Sequence, residues 1–130
     1  MSGQETAKSY SGEINFRIVE KQSEYVIGKM PVADGIRNPL GLVHAGALLW
    51  FADVVATVLA MTRADMENGR GFPLAVNLNA SLLGNQKDGE LTAEARFVRS
   101  GRRITVVRTK VTGAEDRLLA DVTTTHVPAQ

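Results

Sequence analysis

Residues 38–62, NPLGLVHAGALLWFADVVATVLAMT, decide how the rest of the chain must fold. They open on the turn-forming pair Asn38-Pro39, pass Gly41 and the triplet His44-Ala45-Gly46, and then run almost wholly apolar. Between Ala47 and Met61 only Asp53 and Thr57 are strongly polar. A helix apolar on all sides is one that other elements surround. An ionisable Asp in such a helix is costly to bury and calls for a partner or a chemical task. The run is too short for a bilayer span, which wants about 20 apolar residues and tolerates a mid-span carboxylate badly. An ordinary core helix whose Asp bonds a neighbouring strand satisfies the same pattern, since structural networks also bury carboxylates.

Outward from the helix the pattern changes to alternation. Residues 13–19 place Ile14, Phe16 and Ile18 on one face, the signature of a half-buried strand. Residues 25–30 read as a second strand, with Gly28 at a candidate bulge. Residues 31–43 form a long connection carrying Pro31, Gly35, Pro39 and Gly41, and connections of that length are often functional. The helix is predicted from residue 44 or 45 to about residue 67, stopped by Asn68-Gly69. After it, residues 72–83 set Leu74, Val76 and Leu78 against Ala75, Asn77 and Asn79, whose own facing stays open. Strands over residues 90–99, 103–112 and 118–127 follow, separated by turns at Ser100-Gly101 and residues 113–116. The last four strands have connections too short for crossovers and must be mainly antiparallel. One sheet face is apolar and one helix is available to cover it. The prediction is an α+β fold, a curled and mainly antiparallel sheet of about six strands wrapped around one long central helix. It is a single domain over residues 10–130, preceded by a polar, frayed stretch over residues 1–9.

A chain of 130 residues can hold one core without disulfide or metal support. It has no Cys, which excludes a disulfide framework and a thiolate metal site, and its two His are far apart in sequence, a poor basis for zinc. A net charge of +1 gives no electrostatic case for nucleic acid or an anionic membrane. The first residues lack the apolar stretch of a signal peptide, so the expectation is a soluble, cytoplasmic protein that needs no metal or separate cofactor.

The helix start offers backbone N–H groups without intrahelical acceptors, together with a partial positive charge. Small Ala45 and Gly46 let a ligand approach those amides, which suits a carbonyl oxygen gaining charge during attack. Asp53 can act on such a carbonyl as a general base towards water or as a nucleophile, with Thr57 one turn further on the same face. One helix cannot bring both parts to one substrate. Eight residues separate Ala45 from Asp53, about 12 Å of rise, whereas the reacting carbonyl must lie about 3 Å from each. A two-fold pair with antiparallel helices supplies one part from each chain, giving two equivalent sites.

Asn38, Leu40-Gly41, His44-Ala45-Gly46 and Asp53, nine positions after the His, together resemble the motif of the hotdog-fold acyl-CoA thioesterases. The likeness is to the phenylacetic-acid-degradation and 4-hydroxybenzoyl-CoA thioesterase group, and it extends along nearly the whole chain. The resemblance implies hydrolysis of an acyl-CoA thioester, with coenzyme A as part of the substrate, in a homodimer or homotetramer with sites at the dimer interface. It implies that Asp53 is the acidic catalytic residue and that Ala45 stands where a Gly amide polarises the thioester carbonyl, with Gly46 beside it. It further implies that Asn38 holds the nucleophilic water or the thioester from the partner subunit, that His44 shapes the helix start, and that Thr57 assists the carboxylate. Two departures stand out: Ala45 replaces a Gly, and Ala75 lies where some members carry a Ser.

Within the basic cluster Arg96, Arg99, Arg102, Arg103, Arg108 and Lys110, Arg99, Arg102 and Arg103 flank one turn. They suit bidentate phosphate binding, here the phosphates of coenzyme A, though solvated strand faces give the same pattern. Trp50 and Phe51 read as packing, with one of them a candidate wall of an acyl pocket, and His126 reads as incidental. Two other functions fit the same fold: a non-catalytic acyl-CoA-binding or sensing module, and a hydroxyacyl-thioester dehydratase using His44 opposite Asp53.

Overall fold

The structure, a computed structural model, describes residues 7–67 and 71–130. Along the chain run β1 (Arg17–Lys21), β2 (Tyr25–Pro31), a 3-10 turn (Asp34–Ile36), α1 (Ala45–Met61), β3 (Pro73–Leu82), β4 (Glu90–Ser100), β5 (Thr105–Thr112), a second 3-10 turn (Ala114–Asp116) and β6 (Leu118–Pro128). The strands form one six-stranded sheet in the order β1-β2-β4-β5-β6-β3, with every neighbouring pair antiparallel. This is the curled sheet and single helix expected of a hotdog fold.

Alternation decides what the sheet turns inward. Val26 and Met30 of β2, Leu91, Ala93 and Ala95 of β4, Val107 and Val111 of β5 and Val122 of β6 are buried against α1. Gly28 belongs to this inner face for a reason the sequence did not show. A Cβ there would lie 2.8 Å from Val55 Cγ2 and 3.1 Å from Phe51 Cε1, so the helix sits where a side chain would be. The bulge expected at Gly28 falls instead on β1, between Ile18 and Glu20. Gly28→Ala should therefore cost about 1–3 kcal/mol through overpacking. A drop in the urea midpoint checks this, and an unchanged midpoint would contradict it.

The helix begins at Ala45 with His44 as N-cap, as expected, but it ends at Met61 rather than near residue 67. The apolar run stops there, and the Thr62 hydroxyl donates to the Leu59 carbonyl at 2.7 Å. Arg63 then leaves the helix axis, donating to Glu24 at 2.7 Å with its guanidinium 4.6 Å from the Phe97 ring centre. The predicted Asn68-Gly69 stop lies outside the described residues. The first strand is likewise displaced, to Arg17–Lys21, because the Glu13 amide bonds to Gly35 rather than to β2. Ile14 and Phe16 still pack against the core, with the Phe16 ring 5.1 Å from Trp50 and 5.2 Å from Phe51.

The sheet covers one flank of α1. Leu48, Phe51, Ala52, Val55, Ala56, Leu59 and Ala60 are buried, while Gly46, Trp50, Asp53, Val54, Thr57 and Met61 form a stripe that the chain leaves exposed or half-covered. Composition alone suggested a helix enclosed on every side; one chain encloses about half of it. β3 lies beside this gap at the sheet edge, with Leu74, Val76, Leu78 and Leu82 all exposed. A ten-residue edge strand carrying exposed apolar side chains is a ready template for another chain.

Candidate active site

Asp53 sits at the middle of α1 on the open stripe. Its Oδ1 is buried and has no hydrogen-bond partner. A buried carboxylate oxygen left unmatched is costly, and native structures rarely keep one without a chemical use. The carboxylate lines a hollow of about 490 Å³ with Thr57, Met61, Phe72 and Ala75. Thr57 stands one turn from Asp53 in the same hollow, but among the described residues no hydrogen bond joins the two. Ala75 lines the same hollow, so the departure noted at that position lies in the neighbourhood of the acid. The ordinary core alternative, an Asp bonded to a neighbouring strand, is not what the hydrogen bonds show for Oδ1.

A second hollow, of about 320 Å³, opens at the start of the same helix between His44, Gly46 and Trp50 on one side and residues 10–14 on the other. Ala45 and Gly46 are exposed, and a Cβ at Gly46 would meet no atom within 4 Å. Among the described residues neither amide has an acceptor, whereas the Ala47 and Leu48 amides already bond to the His44 carbonyl at 3.0 and 3.2 Å. The His44 side chain makes no cap hydrogen bond. One face of the chain thus carries two donors and, about 12 Å further along, one acid. Neither hollow contains both, and His44 is equally remote from Asp53 of its own chain.

Asn38 organises the loop that leads into the helix. Its Oδ1 accepts from the Leu40 and Leu42 amides at 2.9 and 3.0 Å, and its own amide bonds to the Leu42 carbonyl at 2.7 Å. The oxygen is therefore committed to the loop, which leaves Nδ2 as the group able to meet a ligand, as a donor. Asn38→Asp keeps the acceptor and loses the donor, whereas Asn38→Ala loses both. If the donor touches substrate or water, N38D should lower kcat about tenfold or more at unchanged melting temperature. Equal kcat for wild type and N38D would contradict that role.

Arg99, Arg102 and Arg103 are exposed around the β4–β5 turn, at the pole where α1 ends, with Arg102 and Arg63 lining one cleft. Among the described residues none of the three forms an ion pair. Two others of the basic cluster, Arg96 and Arg108, are already engaged on the outer sheet face. Arg96 pairs with Glu94 and lies 4.8 Å from the Tyr25 ring centre. Arg108 pairs with Asp121 at 2.6 Å and holds that carboxyl below its ordinary pKa. Asn77 and Asn79 pair with Thr125 and Thr123 on the outer face, because an irregularity between Ala75 and Asn77 reverses the alternation and leaves Ala75 facing inward opposite His126. His126, expected to be incidental, is buried, with its ring 2.8 Å from the Thr124 hydroxyl and 3.2 Å from the Pro73 carbonyl. Among the described residues no cluster of His, Asp and Glu could hold a metal, and no helix is long and apolar enough to cross a membrane.

Similarity to known proteins follows the same lines. The chain is 33% identical over 104 residues to a protein of Deinococcus radiodurans that carries an esterase name, covering 80% of this chain and 64% of that protein, so it spans less than two thirds of that relative's length. A mutant thioesterase of Staphylococcus aureus superposes with a TM-score of 0.83 at 23% identity, covering 88% of this chain and 93% of that one. A hypothetical thioesterase of Streptococcus pneumoniae, solved with coenzyme A, gives 0.78 at 21% identity over 88% and 86% of the two chains. At such identities the superpositions establish the fold. Residues 40–120, more than half of the chain and including the whole of α1, match the family model of the thioesterase superfamily, and the chain belongs to that superfamily.

Proposed function

We propose that the protein is an acyl-CoA thioesterase that works as a two-fold dimer. The observation carrying this reading is the unmatched, buried Oδ1 of Asp53 on a helix face that one chain leaves uncovered. Superfamily membership supports the reaction class, and the coenzyme A bound to the pneumococcal relative supports the kind of leaving group. The exposed edge of β3 and the open stripe of α1 together offer a second copy both unpaired backbone and apolar area. An antiparallel partner helix carries its Ala45 and Gly46 amides to Asp53 at the middle of the first helix, closing the gap of about 12 Å that a single chain cannot.

In that arrangement the thioester carbonyl oxygen is bound by the Ala45 amide, with Gly46 beside it, at a helix N-terminus where developing negative charge is favoured. Asp53 of the other chain takes a proton from water as the water oxygen bonds to the carbonyl carbon, and the C–S bond then breaks; or Asp53 attacks that carbon itself, the C–S bond breaks to leave an anhydride, and water splits the anhydride to free Asp53. On either route the sulfur leaves as thiolate and is protonated, and the products are a carboxylic acid and coenzyme A. Asn38 donates from the loop. Arg99, Arg102 and Arg103 lie at the pole where α1 ends, eight residues or about 12 Å beyond Asp53, a distance that a long thiol such as coenzyme A spans. No step calls for a metal.

Thiol release measured across aromatic and aliphatic acyl-CoAs tests the reading. Saturable hydrolysis of at least one is expected. Tight binding of acyl-CoA without any thiol release would replace the enzyme by a sensing module on the same fold.

A further inference from the structure

The helix start is held by a side chain on a distant loop. Asn85, between β3 and β4, accepts from the Val43 amide through Oδ1 at 2.9 Å and donates to the Val43 carbonyl through Nδ2 at 2.9 Å. One side-chain amide thus saturates both polar groups of one residue, as a neighbouring strand would. Only a side chain with a donor and an acceptor side by side can do this, which among short residues means Asn. Val43 is buried and stands two residues before Ala45. The following amide, that of His44, bonds to the Ile36 carbonyl at 2.8 Å, so the chain enters α1 between two fixed points.

Asn85 is itself immobilised. The Gly84 amide bonds to the Leu119 carbonyl of β6 at 3.1 Å, and Arg117 donates to the Asn85 carbonyl. The Gln86 amide donates to Asn85 Oδ1 at 2.7 Å, and Gln86 Oε1 accepts from the Ala114 amide at 2.8 Å. The rigid sheet therefore reaches the helix start through one residue. An amide stabilises charge without reorganisation only if its direction is set before the charge appears.

We infer that Asn85 is a positioning residue for the Ala45 and Gly46 amides, aiming them through its double hydrogen bond to Val43. The inference rests on the thioesterase reading above and assigns its donor site a support outside the helix. Asn85→Ala should lower kcat about 10- to 100-fold with KM within about twofold, the scale expected when catalytic groups are displaced by an ångström or less. Asn85→Asp, which keeps the acceptor but sets a carboxylate oxygen against the Val43 carbonyl, should lose at least as much. The decisive readout is a double-mutant cycle with Ala45→Pro, a substitution that deletes the amide hydrogen. If Asn85 acts through that hydrogen, N85A costs less than about twofold in the A45P background; multiplying losses would overturn the inference.

A second measurement is independent of substrate. In ¹⁵N relaxation of N85A, Gly46 and Ala45 should fall from rigid backbone order, about 0.85, towards about 0.6, while residues near Leu59 stay rigid. Unchanged order at both amides would overturn the inference whatever the activity. Absence of thiol release by the wild type would instead remove the thioesterase reading and leave the relaxation result to decide whether Asn85 holds the helix start.

Discussion

Replacing Asp53 with Asn is expected to lower kcat by about 10²- to 10⁴-fold, the range that a positioned proton acceptor contributes. The same change should leave the fold intact, because Asn is nearly the same size and shape. It is also expected to hold or raise the melting temperature. Asp53 Oδ1 is buried without a partner, so ionised Asp is a cost to the folded chain that neutral Asn reduces. Loss of activity together with equal or higher stability is the mark of a residue kept for chemistry rather than packing. Full turnover in D53N, or its unfolding, would mean that the carboxylate serves the core. Thiol release and a thermal melt on the same preparation decide between these outcomes.

Ala45→Pro is the sharper test of the other half-site. Ala45 is the first residue of α1, and the first helical position is the one place in a helix where Pro is well tolerated. His44 before it has φ −60° and ψ 138°, the extended conformation that a residue preceding Pro adopts anyway. The substitution therefore deletes one N–H, already without an acceptor among the described residues, and otherwise disturbs the chain little. Turnover should fall about 10²- to 10³-fold, as for other oxyanion donors, with kcat and kcat/KM falling together and KM unchanged. A retained melting temperature and an unchanged kcat would show that the Ala45 amide does not touch the reacting oxygen.

Much of this was legible in the sequence because the signals were local. Asn38-Pro39, Gly41 and the abrupt apolar run from Ala47 fixed where α1 begins, and short turns at Ser100-Gly101 and residues 113–116 forced antiparallel pairing. The elements that moved depended on contacts distant in sequence. The helix stops at Met61, where Arg63 leaves to pair with Glu24, and β1 starts late because Glu13 bonds to Gly35. The irregularity near Val76 breaks the alternation that would have placed Leu74, Val76 and Leu78 on one face, which is why the facing of Asn77 and Asn79 could not be read. Gly28 looked like a bulge and proved to be a seat for Val55 and Phe51. At the site, residue types marked Asp53 and the helix start. Nothing in the sequence showed that Asn38 has already spent its oxygen on its own loop, or that Asn85 in a polar turn grips Val43.

The central claim is that each chain holds half a site, and mixing the two crippled variants tests it directly. A dimer of one D53N chain and one A45P chain has one site carrying both defects and one site carrying neither. Random pairing from an equal mixture makes about half the dimers mixed, each with one intact site of two, so thiol release should return to about a quarter of the wild-type rate. A mixture with subunit exchange demonstrated but no more active than its separate components would show that the acid and the amides do not meet across two chains.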